Sequence, residues 1–182
     1  KVFSQTVYFY ADRGLFSAKN LDHIRNNQGE FIVGLKIGVL QKELQQTFYD
    51  ISRFEFIIAE LAIWETQYGV DRCFVTCSKS RAERDRKTRD DILTKIREKL
   101  NTKTARTKSF VTNRNYQRYL ILQDDAKPIL NQQAIDEQAR KDGFFGIITN
   151  VKSMLAKEIV FNYKQLWKIE DSFGELKGSL RS

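Results

Sequence analysis

The chain has 182 residues with a formal net charge of +8, and 41% of its residues are hydrophobic and 12% aromatic. This composition excludes a disordered chain, and the length suffices for one core or for a core with an insertion. The sequence contains no run of about 18 apolar residues, so we expect no membrane-spanning segment. The start at Lys1 matches neither a signal peptide nor a translation start, so we interpret the chain as a fragment of a longer protein.

The positive charge is concentrated in one stretch. Residues 79–118 contain fourteen Lys or Arg against five Asp or Glu, whereas the remainder contains seventeen against eighteen. A local basic excess is typical of a phosphate-binding surface. A solvated helix face carrying ion pairs one turn apart explains the same excess, and the charge alone leaves both interpretations open.

The two cysteines, Cys73 and Cys77, lie in an apolar run far from the single histidine, His23. These three side chains are too few for a four-ligand zinc site. On a strand, residues four apart point to the same face, so we expect two reduced thiols in the core. Free cysteines indicate an intracellular protein.

The N-terminal part of the chain predicts a strand–helix–strand unit. An aromatic run at 7–11 is typical of a buried strand, Ser17 is a candidate N-cap for the following helix, and 31–37 predict a second strand. Such a unit makes its two strands parallel. Functional groups in these folds lie at the carboxyl ends of strands, and Asp12 follows the first strand.

The middle of the chain is less regular. Residues 39–50 are weakly helical, and 61–78 predict a hairpin that turns at 68–71. A charged helix at 80–101 gives the strongest pattern. Further along, the sequence predicts strands at 110–111, 119–122 and 144–149, and a short helix that starts near Pro128 and runs through 135–140.

Residues 153–182 predict one long amphipathic helix. Its apolar stripe carries Leu155, Ile159, Tyr163, Leu166, Phe173 and Leu180. Glu170 and Lys177 fall on the same stripe. An ionised carboxylate on a core-facing stripe costs several kcal/mol unless it is paired or coordinates a metal. Glu170 therefore indicates either a buried ion pair or part of an active site.

Tyr163, Glu170 and Lys177 stand at the spacing Tyr-x6-Glu-x6-Lys. Together with the run from Tyr163 to Phe173, this spacing resembles the signature helix of insertion-sequence DDE transposases, which carry a Tyr-Arg-Glu-Lys motif. Residues 10–17 resemble the family's second-aspartate segment, and 142–150 resemble the strand before its signature helix. The family's signature arginine is replaced by Leu166, and a glycine, Gly174, stands where an arginine commonly follows the phenylalanine.

The resemblance implies an α/β fold with a ribonuclease-H-like mixed sheet flanked by helices, incomplete at its N-terminus. Residues 1–38 would form part of the core, 39–141 a basic, DNA-contacting α+β insertion, and 142–182 the return to the core with the catalytic helix. The resemblance also implies three carboxylates that hold two divalent ions, Mg²⁺ or Mn²⁺. Asp12 and Glu170 would supply two of them, as catalytic metal ligands.

The same resemblance implies double-stranded DNA as the partner, both transposon ends and target, with no membrane association. We expect a bacterial cytoplasmic protein, and homodimerisation on DNA is a further hypothesis. The expected DNA contacts are Tyr163, Lys177, Lys164, Lys168, Arg81, Arg84, Lys87 and Arg89, the last four on the basic helix.

The family's first aspartate has no counterpart in this chain, so we expect the isolated chain to bind metal weakly and not to cleave DNA. Two other hypotheses remain open. One is a DNA-binding module without chemistry that contacts phosphates through 79–118. The other is a structural protein in which Glu170 and Lys177 form a buried pair. Divalent-ion dependence that vanishes in Glu170→Gln, in a chain extended upstream, would support the transposase. Absence of DNA binding at low salt would support the structural protein.

Overall fold

The computed structural model describes residues 8–102, 110, 112–122 and 126–165. Three predicted site residues lie outside this part of the chain: Glu170, Lys168 and Lys177. The chain divides into two compact units, of which unit 1 comprises Lys1–Cys77 and Phe145–Ser182 and unit 2 comprises Ser78–Phe144. In the part that the structure describes, no helix is long and apolar enough to cross a membrane.

Strands and helices are interspersed along the described part of the chain. They are β1 (Tyr8–Ala11), α1 (Ala18–Asn26), β2 (Glu30–Leu35), a 3-10 turn (Ile37–Val39), α2 (Lys42–Phe48), a second 3-10 turn (Ile51–Arg53), β3 (Glu55–Ile58), β4 (Leu61–Tyr68), β5 (Asp71–Ser78), α3 (Lys79–Leu100), α4 (Arg114–Gln117), β6 (Leu120–Ile121), β7 (Ile129–Leu130), α5 (Gln132–Ala139) and β8 (Phe144–Thr149). Residues 156–165 are also helical, and we refer to them as helix 156–165.

The first three elements form the strand–helix–strand unit that the sequence predicts. The Ser17 hydroxyl caps α1 by accepting a hydrogen bond from the amide of Asn20. β1 and β2 are parallel, with Ala11 opposite Val33 at their carboxyl ends. The predicted parallel pairing is confirmed, and it brings the ends of both strands to one edge of the sheet.

The main sheet has six strands in the order β1-β2-β8-β5-β4-β3. β8 is antiparallel to β2, and β3 is antiparallel to β4. β4 and β5 are the predicted hairpin, joined by Gly69 and Val70. Gly69 has a φ of 64°, a conformation that tight hairpin turns favour and that glycine adopts without strain. The sheet is therefore mixed and flanked by helices, as predicted.

Helix 156–165 packs on the sheet through its apolar face. Ile159 and Tyr163 of the predicted stripe are buried in one cluster with Ile147 of β8 and Phe74 of β5. Burying a side chain of this size stabilises a fold by about 1.5–3 kcal/mol. Leu155, the first residue of the predicted stripe, is instead exposed, because it precedes the first helical turn. The stripe is therefore confirmed at Ile159 and Tyr163 and wrong at Leu155.

Unit 2 has its own core, formed by one face of α3 and the segments that follow it. Its buried residues are Leu93, Ile96, Leu100, Phe110, Tyr119, Leu120 and Ile135. α3 confirms the helix predicted at 80–101 to within one residue at each end. The strand predicted at 110–111 is wrong at Phe110, which lies in a turn. The Phe110 ring is buried and lies 4.9 Å from the ammonium of Lys99, so this apolar residue serves core packing instead of a sheet.

Other boundaries are shifted. The strand predicted at 119–122 is the two-residue β6, paired with β7. α5 begins at Gln132, after the start predicted near Pro128, because Asn131 caps it, accepting a hydrogen bond from the amide of Ala134. The predicted domain limits stay predictions, although β3, β4 and most of β5 belong to unit 1 and to the same sheet as β1 and β2.

Candidate active site

Asp12 lies just after β1 and is exposed. Its Oδ1 accepts a hydrogen bond from the amide of Gly14 at 2.7 Å, and its carbonyl oxygen accepts one from the amide of Leu15 at 3.3 Å. A Cβ on residue 14 would lie 2.8 Å from that Oδ1, so glycine permits the tight turn. We call the carboxyl end of β1, with Asp12 and the neighbouring Gly34 of β2, the Asp12 edge.

Tyr163 reaches the Asp12 edge over Gly34. A Cβ on Gly34 would lie 2.5 Å from the Tyr163 hydroxyl oxygen, 2.7 Å from Cγ of Arg13 and 3.0 Å from the Arg13 amide nitrogen. Heavy atoms at 2.5 Å overlap, so in this arrangement residue 34 has to be glycine. Since Arg13 directly follows Asp12, helix 156–165 brings its tyrosine beside the turn that carries the carboxylate.

Aromatic side chains surround Arg13. The Phe145 and Tyr163 ring centroids lie 5.2 Å apart, and the Arg13 guanidinium carbon lies 5.5 Å from the Phe145 centroid. This is the geometry of a cation–π contact. Burial raises the pKa of the Tyr49 phenol, and the nearby charge of Arg13 offsets part of that rise. The Asp12 edge therefore carries a guanidinium as well as a carboxylate.

The start of helix 156–165 is fixed by Arg72 of β5, a residue that sequence reasoning missed. Its Nη1 donates to the backbone carbonyls of Val151 at 3.0 Å and Met154 at 2.8 Å. The Glu158 carboxylate accepts a hydrogen bond from the amide of Leu155 at 2.8 Å, which is one half of a capping box. These contacts set the point from which the helix carries Tyr163 to β2.

Residues 2–182 match the family model described as Transposase DDE domain. The chain belongs to this family. No curated protein and no solved structure matches it significantly. Membership assigns this transposase domain to DNA cleavage and strand transfer in transposition, and its mixed six-stranded sheet flanked by helices is consistent with a ribonuclease-H-like DDE domain.

DDE transposases generally use divalent metal ions, and the assignment of Asp12 of this transposase domain as a ligand stays a prediction. Its carboxylate is exposed, offers the oxygen donors that hard cations prefer, and has no ion-pair partner among the described residues. Across residues 8–102, 110, 112–122 and 126–165, no group of three or more His, Cys, Asp or Glu side chains comes together. The second predicted ligand, Glu170, lies outside these residues.

Of the DNA contacts predicted at the C-terminal end of the transposase domain, Tyr163 and Lys164 are among the described residues. Tyr163 is buried with its hydroxyl at Gly34, whereas Lys164 is exposed. On α3, Arg84 and Lys87 are exposed, so both are accessible to a phosphate backbone. Arg81 is partly buried, and its Nε lies 3.7 Å from the carboxylate of Asp85.

Arg89 of the transposase domain occupies a different setting. Its Nη1 lies 2.6 and 2.5 Å from the two carboxylate oxygens of Asp142, and the two side chains are 10% and 17% exposed. Burial lowers the pKa of Arg89, but the hydrogen bonds and the charge of Asp142 outweigh it, so the net pKa is raised. This geometry favours a structural role that ties α3 to the turn before β8, and DNA contact by Arg89 stays an untested prediction.

Proposed function

We propose that the chain is the C-terminal part of the catalytic domain of an insertion-sequence DDE transposase, which cleaves and transfers DNA strands at transposon ends. The observation that carries this proposal is the position of the Tyr163 hydroxyl over Gly34, beside the turn of Asp12. Tyr163 is the first residue of the Tyr-x6-Glu-x6-Lys spacing. In the proposal, Glu170 of that spacing joins Asp12 as a metal ligand.

The proposed site would hold two divalent ions, Mg²⁺ or Mn²⁺, through carboxylates that include Asp12 and Glu170. Such ions, when bound, activate the attacking oxygen and stabilise the leaving oxygen in a phosphodiester displacement. The local structure fixes the position of the Asp12 carboxylate. The amide of Gly14 donates a hydrogen bond to Oδ1 and holds the carboxylate at the end of the strand, which leaves Oδ2 for a bond to a metal ion.

Double-stranded DNA, both transposon ends and target, is the proposed partner, and homodimerisation on DNA is part of the same hypothesis. Near the metal site, the proposed phosphate contacts are Tyr163, Lys164, Lys168 and Lys177. In unit 2, the exposed positions of Arg84 and Lys87 support a phosphate-binding surface on α3, and the proposal includes Arg81 and Arg89 in this surface. A bacterial cytoplasmic location stays a prediction.

We further propose that the isolated chain does not cleave DNA. None of its segments resembles the family's first-aspartate segment, so the third carboxylate would have to come from residues outside the chain. Two carboxylates hold a pair of divalent ions weakly, because each ion then lacks part of its oxygen shell.

A transposition assay tests the metal-ligand assignment. The transposase that contains this chain is supplied in cells with a selectable marker placed between the DNA ends that flank its coding sequence. We expect Asp12→Asn and Glu170→Gln each to abolish transposition, because an amide is a poor ligand for a hard cation. The matched control is Glu60→Gln, which neutralises an exposed carboxylate in the turn between β3 and β4 and should leave transposition unchanged.

Two outcomes would contradict these proposals. Transposition by Asp12→Asn at the wild-type level would remove Asp12 from the metal site. Cleavage of transposon-end DNA by the purified 182-residue chain with Mg²⁺, abolished by Asp12→Ala, would show that the chain alone is complete.

The basic excess of 79–118 also supports a second candidate function, DNA binding without chemistry. Both candidates predict affinity that falls steeply with salt. They differ in metal dependence, because a binding module has no reason to lose function in Glu170→Gln. Wild-type transposition by that variant would therefore favour the binding module.

A further inference from the structure

Arg13 is a residue of the Asp12 edge to which the proposed function gives no role. It is exposed, directly follows Asp12, and packs its Cγ against the space that Gly34 leaves open. Its guanidinium lies over the Phe145 ring at 5.5 Å from the centroid. The aliphatic part and the guanidinium of Arg13 thus both contact neighbouring residues, which restricts the positions that the charge can occupy.

The charge of Arg13 is uncompensated in the described part of the chain, where no carboxylate lies at ion-pair distance from it. Arg53 provides a close comparison in unit 1. Its guanidinium lies 5.6 Å from the Trp64 ring centroid, but its Nε also lies 3.1 Å from the Asp50 carboxylate. Arg13 and Arg53 therefore both lie on aromatic rings, and of these two Arg53 has a carboxylate partner among the described residues.

We propose that Arg13 binds a backbone phosphate of the DNA strand that lies along the Asp12 edge. A guanidinium offers planar, paired N–H donors that match two phosphate oxygens. Asp12 alone would repel a DNA strand, and a fixed cation beside it offsets that repulsion. Arg13 is thus a DNA-binding residue that places the strand next to the carboxylate. This inference rests on the proposed function, because it requires DNA at this edge.

The test measures binding of the 182-residue chain to a fluorescein-labelled DNA duplex by fluorescence anisotropy at several NaCl concentrations. We expect Arg13→Gln to lower affinity about tenfold at low salt. The slope of log affinity against log salt should become shallower by about 0.9, the loss of one phosphate contact. Arg13→Lys should keep the wild-type slope, since it keeps the charge, but bind about threefold more weakly because the paired donors are lost.

Arg53→Gln is the matched control. It removes another exposed guanidinium that lies on an aromatic ring but whose charge Asp50 already compensates, so affinity and slope should stay at the wild-type values. Thermal unfolding of each variant establishes that it is folded. A change in salt slope separates a lost phosphate contact from a lost packing contact, because packing alone does not change the number of ions released.

Four results would overturn the inference. Wild-type affinity and slope in Arg13→Gln would show that no phosphate is bound there, and an equal loss in Arg53→Gln would show a general charge effect. If Arg13→Gln fails to fold, Arg13→Lys decides, and wild-type affinity in that variant would overturn the inference. Absence of DNA binding by the wild-type chain at low salt would instead overturn the proposed function, and this inference with it.

Discussion

The hydroxyl oxygen of Tyr163 lies 2.5 Å from the position that a Cβ on Gly34 would occupy. Helix 156–165 and β2 therefore meet at a contact that a single methyl group would disrupt. Tyr163 is the first residue of the proposed signature, and Gly34 neighbours the turn of Asp12. A substitution at Gly34 therefore tests whether this packing contributes to DNA binding as well as to stability.

Gly34→Ala should destabilise the chain by about 1–3 kcal/mol, because an added methyl in a filled space displaces its neighbours. The Tyr163 hydroxyl and the Arg13 side chain should move, so DNA affinity should fall as well. Urea denaturation and anisotropy measure the two effects. Gly38→Ala is the control, because no heavy atom lies within 4 Å of the Cβ it would add. Equal stability of the two variants would contradict the packing at Gly34.

Arg72→Gln should cost about 2 kcal/mol of unfolding free energy, because it removes charged hydrogen bonds to the carbonyls of Val151 and Met154. Arg72 also pairs with Glu65 at 2.8 Å, and Glu65 is exposed. Glu65→Gln should therefore cost less than about 1 kcal/mol. Chemical denaturation compares the two variants. If Glu65→Gln costs as much as Arg72→Gln, the ion pair stabilises this region and the carbonyl contacts contribute little.

Asp142→Ala should destabilise unit 2 by about 3 kcal/mol, because it leaves the nearly buried Arg89 guanidinium without its partner. Hydrogen exchange of the α3 amides localises the effect. The control is Asp22→Ala, which removes a 62% exposed carboxylate paired with Arg25 and should cost below about 1 kcal/mol. Unchanged exchange of α3 in Asp142→Ala would contradict the structural role of Arg89 and would favour its assignment to DNA contact.

Cys73 should be almost inert toward thiol reagents in the folded chain. Burial raises the pKa of this thiol to about 12, so at pH 8 about one molecule in ten thousand carries the reactive thiolate. In Cys77→Ser, reaction with DTNB at pH 8 should be at least about a hundredfold slower than in denaturant. Cys73→Ser leaves the half-buried Cys77, whose pKa burial also raises, and should react at an intermediate rate. Rapid labelling of folded Cys77→Ser would contradict the burial of Cys73.

Most helices and strands could be predicted from the sequence because the features that indicate them are local. The Ser17 cap, the Gly69 hairpin turn and the charge and periodicity of α3 each lie within a few residues of the structure that they determine. The strand predicted at 110–111 is wrong at Phe110 because two adjacent apolar residues are equally typical of a strand and of a turn packed on a core.

The parts of the candidate site that escaped prediction depend on distant contacts. Gly34 lies inside the strand predicted at 31–37, and its role depends on Tyr163, far along the sequence, whose hydroxyl lies over it. Arg72 is a charged residue in an apolar strand, a pattern that indicates a specific partner. The sequence does not indicate that its partners are the backbone carbonyls of Val151 and Met154. Glu170 stays a prediction from spacing and resemblance.

The amide of Ser78 donates a hydrogen bond to the carbonyl of Gly143 at 3.1 Å, so the chain enters and leaves unit 2 at points one hydrogen bond apart. β5 and β8, which flank unit 2 in sequence, are also neighbours in the sheet. The entropic cost of bringing the two ends of such a segment together grows only slowly with the length of the segment. Residues 79–142 can therefore change in length at little entropic cost to the sheet that precedes Asp12.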